Sequence, residues 1–247
     1  MLYVVITADS NILIYKGYDL CDYQTNILCY RMVLSWQTFF MFAQALPTAF
    51  AFDYIFVSCV TYIYIGSEQL ANAFRQLFLL VHPESEVLMK LRRENLKEIV
   101  DQHNMIMNFV KEVNSLTCII LLAQFCCSLG SMTFCLYMST VDGIPPDNEH
   151  LHYIMLYMSI VTELLLFSVG GTITHDKLQS IAKDAFEVDW YLTGQSQLRR
   201  DLCFIMQRSQ NIKTFRVGNM SDLNLILFVT VVKSSVSMYT LINQLSQ

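Results

Sequence analysis

The sequence predicts an all-α polytopic membrane protein, a bundle of helices that crosses the bilayer several times. Of its 247 residues, 54% are hydrophobic and only 15% are charged, whereas soluble domains carry about 25% charged residues. Only eight glycines and four prolines are present, which favours long helices over turn-rich β structure. The net charge of −5 excludes the basic surface that nucleic-acid binding needs, so no nucleic-acid partner is predicted.

Four apolar runs locate the predicted spans, because about 20 residues of helix cross about 30 Å of hydrocarbon. Residues 32–67 contain one charge, Asp53, and residues 115–141 contain none. Residues 152–174 contain only Glu163, and residues 223–247 contain only Lys233. Residues 1–15 are a weaker run, which we interpret as part of a further span. A buried helix of a soluble protein explains one such run, but not four.

The basic residues predict the orientation, since Lys and Arg are retained on the cytosolic side. Thirteen of the sixteen lie in residues 68–114 and 175–221, whereas the acidic segment 142–150 has none. Those two loops are therefore predicted to be cytosolic. This places the C-terminus outside and, if residues 1–15 span, the N-terminus inside. A G-protein-coupled receptor has the opposite, cytosolic C-terminus and is excluded by this topology.

The spans and loops divide the chain into four predicted segments. Residues 1–31 are a partial span and an extracellular loop, and residues 32–174 hold transmembrane helices together with the cytosolic helical loop 68–114. Residues 175–221 are cytosolic helices, and residues 222–247 form a final transmembrane helix. Both cytosolic loops are predicted to be helical because their apolar residues alternate spacings of three and four. These residues are Leu96, Ile99, His103, Ile106, Val110 and Val113 in the first loop, and Leu178, Ile181, Ala185 and Val188 in the second. A further helix in the second loop is predicted with Leu198, Leu202 and Ile205 on one face. The spacing leaves open whether these seams pack within the chain or against another subunit.

No enzymatic site is predicted. The sequence contains no nucleophile elbow, zinc-protease helix, phosphate-binding loop or C-x-x-C pair, so no catalytic residue and no cofactor is assigned. His150 and His152 lack a third ligand, so no metal site is predicted. Gly170 and Gly171 indicate close helix packing in the membrane. Cys21 and Cys29 fall on the predicted outer side, where a disulfide between them is possible.

Four short motifs in the second half of the chain resemble a known family. They occur in a fixed order and are FEVDWY at residues 186–191, RRDL at 199–202, IMQRSQ at 205–210 and VKSS at 232–235. This order is similar to the C-terminal part of insect odorant receptors, which are seven-helix odorant-gated cation channels. The resemblance runs from about Trp36 to the end, and residues 1–30 match poorly. It implies that the family's first two helices and part of the third are missing here, an N-terminal truncation that leaves the odorant pocket incomplete.

The resemblance implies a function that composition alone does not. The chain is expected to be an odorant-gated nonselective cation channel subunit that binds a small volatile odorant. It would form a heterotetramer with the odorant receptor co-receptor in the plasma membrane of olfactory sensory neurons. Ser237 and Met238 depart from the pattern of the co-receptor and the gustatory receptors, so the chain is most similar to the tuning receptors.

The resemblance also implies roles for particular residues. On the last helix, Leu241 corresponds to the hydrophobic gate and Gln244 to an outer polar ring, with Ser237 on the same pore-lining stripe. His103, Trp190 and Tyr191 belong to the cytosolic anchor helices. From the residues alone, an ordinary packing face whose hydroxyls bond back along the helix explains the same stripe.

An odorant site should be apolar and aromatic with few polar groups. The candidates are Phe50, Tyr54, Ser58, Tyr153 and Tyr157, of which the first three share one helix face at a spacing of four. Aromatic residues at such a spacing are also typical of a membrane-protein core or an interfacial belt.

Three charges lie inside predicted spans, where each needs a partner or water. Glu163 and Lys233 are expected at a similar depth, with Asp53 as a competing partner nearer the cytosol. Lys233 is therefore predicted to pair with Glu163, to face pore water, or to extend its stem to a lipid headgroup.

Three other functions remain open from the sequence. A gustatory-receptor-like channel differs mainly in its final-helix motif, and a non-conducting membrane fragment would pass no current. A transporter should show helix pairs broken by Gly or Pro in corresponding places, and only Pro47 interrupts a span.

Overall fold

The computed structural model describes residues 27–40, 42–43, 46–79, 86–141, 148–187, 196–210, 214–218 and 220–245. Its elements in chain order are α1 (Ile27–Phe40), α2 (Leu46–Leu79), α3 (Glu86–Val141), α4 (Asn148–Glu187), α5 (Ser196–Gln210), β1 (Arg216–Val217), β2 (Ser221–Asp222) and α6 (Leu225–Leu245). Two compact units, residues 1–57 and residues 58–247, divide the chain within α2. The predicted partial span at residues 1–15 lies outside the described residues, as do Cys21, Trp190 and Tyr191.

The first unit holds α1 and the first part of α2. The apolar run 32–67, which the sequence predicts as one span, contributes residues to two described helices, since α1 ends at Phe40 and α2 begins at Leu46. Pro47 lies in the first turn of α2, where its missing N–H breaks no helical hydrogen bond. Cys29 is buried and disulfide-bonded, while Cys21, its predicted partner, is not described.

Among the described residues, four helices are long and apolar enough to cross a membrane, within Phe50–Leu77, Arg93–Thr140, Leu151–Glu187 and Leu225–Leu245. The predicted all-α membrane bundle is confirmed. The longest helix, α3, has 56 residues and is therefore about 84 Å long, far more than the roughly 30 Å of hydrocarbon. Its charge-free part, residues 115–141, is long enough to span by itself. Residues 86–114, which carry its charges, extend beyond that part as the same continuous helix.

The second unit has a core at the charged ends of its helices. The seams that the spacing predicts are buried there and pack within the chain: Leu96, Ile99, His103, Ile106 and Val110 on α3, Leu178, Ile181 and Ala185 on α4, and Leu202 and Ile205 on α5. Val113 is half-buried, and Val188 lies outside the described residues. α5 packs mainly against α4, and also contacts α3. Packing within the chain therefore accounts for the buried face of each seam.

One element departs from the predicted helices of residues 175–221. After α5, the strands β1 and β2 form an antiparallel hairpin in which Arg216 pairs with Asp222 and Val217 with Ser221. Gly218 has a φ of 57° in the turn, a left-handed conformation that glycine adopts without strain. Two-residue strands carry no periodicity, so the sequence pattern gave no signal for them.

Candidate functional site

The last helix, α6, is held at its beginning by the connector that precedes it, residues 214–224. The Arg216 backbone N–H donates to Asn114 Oδ1 at 2.7 Å, and the Gly218 N–H donates to the Cys118 carbonyl at 3.1 Å. Both acceptors lie on α3, one helical turn apart, where its charged part meets its charge-free part. Thr214 and Phe215 are buried as well. The connector is therefore fixed to α3 at the edge of its apolar segment.

α4 holds the same connector from a second direction. A Cβ added at Gly171 would overlap the Leu223 carbonyl oxygen, so the backbones of α4 and the connector are in close contact. Thr172 Oγ1 accepts from the Leu225 N–H at 3.3 Å. Asn224 Oδ1 accepts from the Leu227 N–H at 2.8 Å, which is an N-cap. Close packing is found at Gly171, but its partner is the connector, whereas the sequence predicted another helix.

Beyond this start, α6 has little cover from its own chain. Ser235 is its one buried residue among those described. The side chains of Ser237, Leu241 and Gln244, predicted to line a pore, are all exposed. The hydroxyl of Ser234 donates to the Thr230 carbonyl at 2.8 Å. A hydroxyl that bonds back along its own helix in this way is what an ordinary packing face predicts. The pore-lining role of the other three stays a prediction.

A groove lies between the charge-free part of α3 and the second half of α6, and we call it the α3–α6 groove. Its volume is about 530 Å³. Its lining residues are Gly130, Thr133, Phe134, Tyr137, Ser237, Met238, Leu241 and Ile242. Two of the predicted pore residues, Ser237 and Leu241, therefore also border this groove.

His103, predicted to belong to the anchor, is buried in the core at the charged end of the bundle. Its Nε2 lies 2.9 Å from Ser209 Oγ on α5, so one hydrogen bond joins the polar part of α3 to α5. Burial, together with the positive charge of Arg208, lowers the pKa of His103 from 6.5 to about 4. The imidazole is therefore neutral at physiological pH.

Two ion pairs join the charged ends of α2 and α4. Lys177 Nζ lies 2.9 Å from Glu68 Oε2 and 4.2 Å from the centre of the Tyr64 ring. Arg75 Nη2 lies 3.7 Å from Asp184 Oδ1. These contacts and the His103–Ser209 bond bring the two basic loops of the sequence to the same end of the second unit.

The five odorant-binding candidates are divided between the two units. Phe50 and Tyr54 lie in the first unit and are exposed, with 64% and 75% of their surface accessible. Ser58, Tyr153 and Tyr157 lie in the second, where Ser58 is exposed and both tyrosines are half-buried. A common pocket for the five stays a prediction.

The intramembrane charges have different surroundings. Glu163 Oε1 accepts a hydrogen bond from Gln124 Nε2 at 2.7 Å. Lys233 is exposed and belongs to no ion pair with any residue that the structure describes, so the predicted pair with Glu163 is not found there. Asp53 is half-buried in the first unit. Gln124 is not among the residues predicted from the sequence, although a lone amide in a charge-free span is itself a signal, because it needs a hydrogen-bonding partner.

The known proteins found to be similar to this chain are named as odorant receptors. The sequence model of the family described as 7tm Odorant receptor matches residues 2–236. Odorant receptor 22c of Drosophila melanogaster is 25% identical over 180 residues, which cover 69% of this chain and 44% of that receptor. Odorant receptor 49a of the same organism is 24% identical over 115 residues, which cover 47% of this chain and 28% of that receptor.

The extent of these matches bears on two expectations. The chain spans less than half the length of the curated relatives it matches. The family match begins at residue 2 and therefore extends further towards the N-terminus than the expected start near Trp36. It ends at residue 236, before Ser237, Leu241 and Gln244, so their roles rest on geometry and on the resemblance. With four candidate membrane spans in the part that the structure describes and a family match over almost its whole length, this chain belongs to the 7tm odorant receptor family.

Proposed function

We propose that this chain is a subunit of an odorant-gated, nonselective cation channel that acts with a co-receptor in a heterotetramer. The observation that carries the proposal is the attachment of α6, which is fixed at its beginning and little covered along the rest of its length. An apolar helix fixed at one end presents its remaining faces to lipid or to other subunits. A pore needs this arrangement, because its wall is built from one such helix of each subunit around an axis.

The side chains on α6 suit a gated pore. Leu241 supplies an apolar constriction that closes a pore by excluding water, and Gln244 supplies a polar ring next to it. Gln244 follows Leu241 by three residues, which places it almost one turn further and about 60° around the helix. Lys233 on the same helix is exposed and faces pore water in the open assembly.

α4 provides a route from an odorant to α6. Tyr153 and Tyr157 lie near its beginning, while Gly171 and Thr172 contact the connector on the same helix, starting about 21 Å beyond Tyr157. A rigid helix transmits a displacement at one end to the other. An odorant that moves the first turns of α4 therefore moves the point where α6 begins.

The membrane orientation belongs to the same proposal. The basic loops 68–114 and 175–221 lie in the cytosol, with the C-terminus outside. The ion pairs Lys177–Glu68 and Arg75–Asp184 support this, because they bring residues of both loops to one end of the bundle. The assembly functions in the plasma membrane of olfactory sensory neurons.

The pore part of the proposal is tested by a thiol reagent. We expect that Leu241→Cys, coexpressed with the co-receptor and opened by a co-receptor agonist, gives a current that an external cationic methanethiosulfonate blocks by half or more. The matched control is Val236→Cys, an exposed residue about 140° around the helix from Leu241. Equal sensitivity of both variants and the parent chain would remove α6 from the pore.

The odorant part is tested by whether an odorant panel evokes current above that of the co-receptor alone.

A further inference from the structure

The α3–α6 groove has the dimensions and chemistry of a small-molecule site. Its volume of about 530 Å³ falls within the roughly 300–1,000 Å³ of ligand pockets, which are mostly apolar with a few polar groups. Phe134, Met238 and Ile242 supply apolar surface, while Thr133, Tyr137 and Ser237 supply hydroxyls. All eight lining residues lie in the apolar parts of α3 and α6.

The floor of the groove is open at Gly130. A Cβ added there would meet no other heavy atom within 4 Å. Glycine in a helix interior is less favourable than alanine by about 0.5–1 kcal/mol, so local helix stability does not account for it. The space beside Gly130 is available to an occupant and would be filled by a larger side chain.

Ser237 offers a hydrogen bond into the groove. The other serine and threonine hydroxyls of α6 all donate to a carbonyl of the same helix, and these are Thr230, Ser234, Ser235 and Thr240. Among the described residues, the Ser237 hydroxyl has no such partner. An occupant with one polar group can form a hydrogen bond with this hydroxyl, whereas a purely hydrocarbon chain cannot.

We propose that the α3–α6 groove binds a small uncharged amphiphile, such as a medium-chain alcohol, with its polar group at Ser237 and its chain along Phe134 and Met238. The site shares no residue with the odorant candidates Phe50, Tyr54, Ser58, Tyr153 and Tyr157. It differs from them also in its position, since it is built on α6 itself.

An occupant of this groove touches Leu241, which lies between the groove and the side of α6 that carries Gln244. Leu241 is about 60° around the helix from Met238 on one side and from Gln244 on the other. A ligand that contacts Leu241 differently in the closed and open states shifts the equilibrium between them. This effect on current rests on the proposed channel function, whereas the binding itself does not.

Binding is tested by photolabelling of the whole chain in lipid nanodiscs with 3-azioctanol, a photoreactive alcohol. We expect the label on peptides that contain Tyr137 and Met238, with competition by excess 1-octanol. Gly130→Leu fills the floor and should reduce this labelling five-fold or more, whereas Ser131→Leu, an exposed neighbour outside the groove, should not. Ser237→Ala leaves the groove open and should reduce labelling several-fold, and it decides the question should Gly130→Leu fail to fold.

Three results would overturn the proposal. Labelling that 1-octanol does not compete shows partition into lipid alone. Labelling unchanged in both Gly130→Leu and Ser237→Ala places the alcohol elsewhere. A Phe134→Cys variant that forms disulfide-linked dimers beyond the background of the parent chain shows that a second copy fills the groove.

The current distinguishes this site from the channel proposal. Competed labelling without any effect of 1-octanol on current supports the site and contradicts its link to the gate. Absent labelling in a channel whose Leu241→Cys current is blocked removes the site and leaves the channel function intact.

Discussion

At the scale of single residues, Gly171 determines how closely α4 approaches the beginning of α6. Any side chain there would overlap the Leu223 carbonyl oxygen, a backbone atom that cannot rotate away. The neighbouring Thr172 hydroxyl accepts from the Leu225 N–H, so the same turn of α4 supplies both contacts. A change of one methyl group at this point therefore displaces the whole connector.

We predict that Gly171→Ala lowers the stability of the purified protein by about 1–3 kcal/mol, because overpacking forces a backbone shift. Gly130→Ala is the matched control, since a Cβ there meets no atom and alanine favours helix. Thermal unfolding in detergent, followed by size-exclusion chromatography, measures both. A Gly171→Ala midpoint equal to that of Gly130→Ala would show that the contact does not constrain α4.

Gln124 and Glu163 form a second decisive contact, a 2.7 Å hydrogen bond between the apolar parts of α3 and α4. We predict that Gln124→Leu destabilises the protein by about 1–3 kcal/mol, because it removes a donor from a half-buried carboxyl group inside a predicted span. The same substitution in a Glu163→Gln background should cost less, since a neutral amide is less costly to leave partly unpaired. If the decrease in unfolding midpoint of the double variant equals the sum of the decreases of the two single variants, the two side chains are not coupled.

At the scale of elements, α3 combines two roles in one helix. Its residues 115–141 are charge-free, while residues 86–114 pack their apolar seam against the rest of the charged-end core. His103 lies within that seam and joins α5 through Ser209. A histidine at a buried seam position is stable only while it is neutral, and this makes the packing of α3 on α5 sensitive to acid.

We predict that stability falls as the pH drops from about 6.5 towards 4. In this window the unfolded chain protonates His103 at its ordinary pKa of 6.5, while the folded chain holds that pKa at about 4. The loss is up to about 1.4 kcal/mol per pH unit, and above pH 6.5 this contribution is constant. The difference in unfolding midpoint between the parent and His103→Gln, measured from pH 7.5 to 4.5, isolates the effect. Parallel pH profiles would assign the acid sensitivity to other groups.

At the scale of the whole molecule, the orientation in the membrane decides which end of the second unit meets the cytosol. Cys203 on α5 is exposed and lies in the basic segment 175–221. Leu151, also exposed, lies near the opposite end of α4. The proposed orientation therefore places these two positions on opposite sides of the bilayer.

We predict that a membrane-impermeant maleimide labels Leu151→Cys on intact cells but labels Cys203 only after permeabilisation. Peptide mapping by mass spectrometry separates these sites from the other cysteines. Labelling of Cys203 from outside, with Leu151→Cys protected, would invert the proposed topology and place the basic loops outside.

The sequence by itself determined the fold class, because four apolar runs of membrane length admit no soluble alternative. It also determined which residues of α3, α4 and α5 are buried at the charged end, since spacings of three and four put them on one helix face. The family resemblance came from short motifs in one order. All of these depend on local periodicity or on neighbouring residues, which a sequence shows directly.

Only the tertiary structure decided how α6 is attached and what surrounds the charged side chains inside the spans. The contact of Gly171 with Leu223 and the bond from Gln124 to Glu163 join residues that are distant in sequence. The hairpin of β1 and β2 is local, but its two-residue strands are too short to show a periodic pattern. Depth in a span suggested Lys233 as the partner of Glu163, but depth does not determine which helix faces which. The rotation and register of packed helices depend on shape and hydrogen bonding across the interface, and a periodic pattern on one helix contains neither.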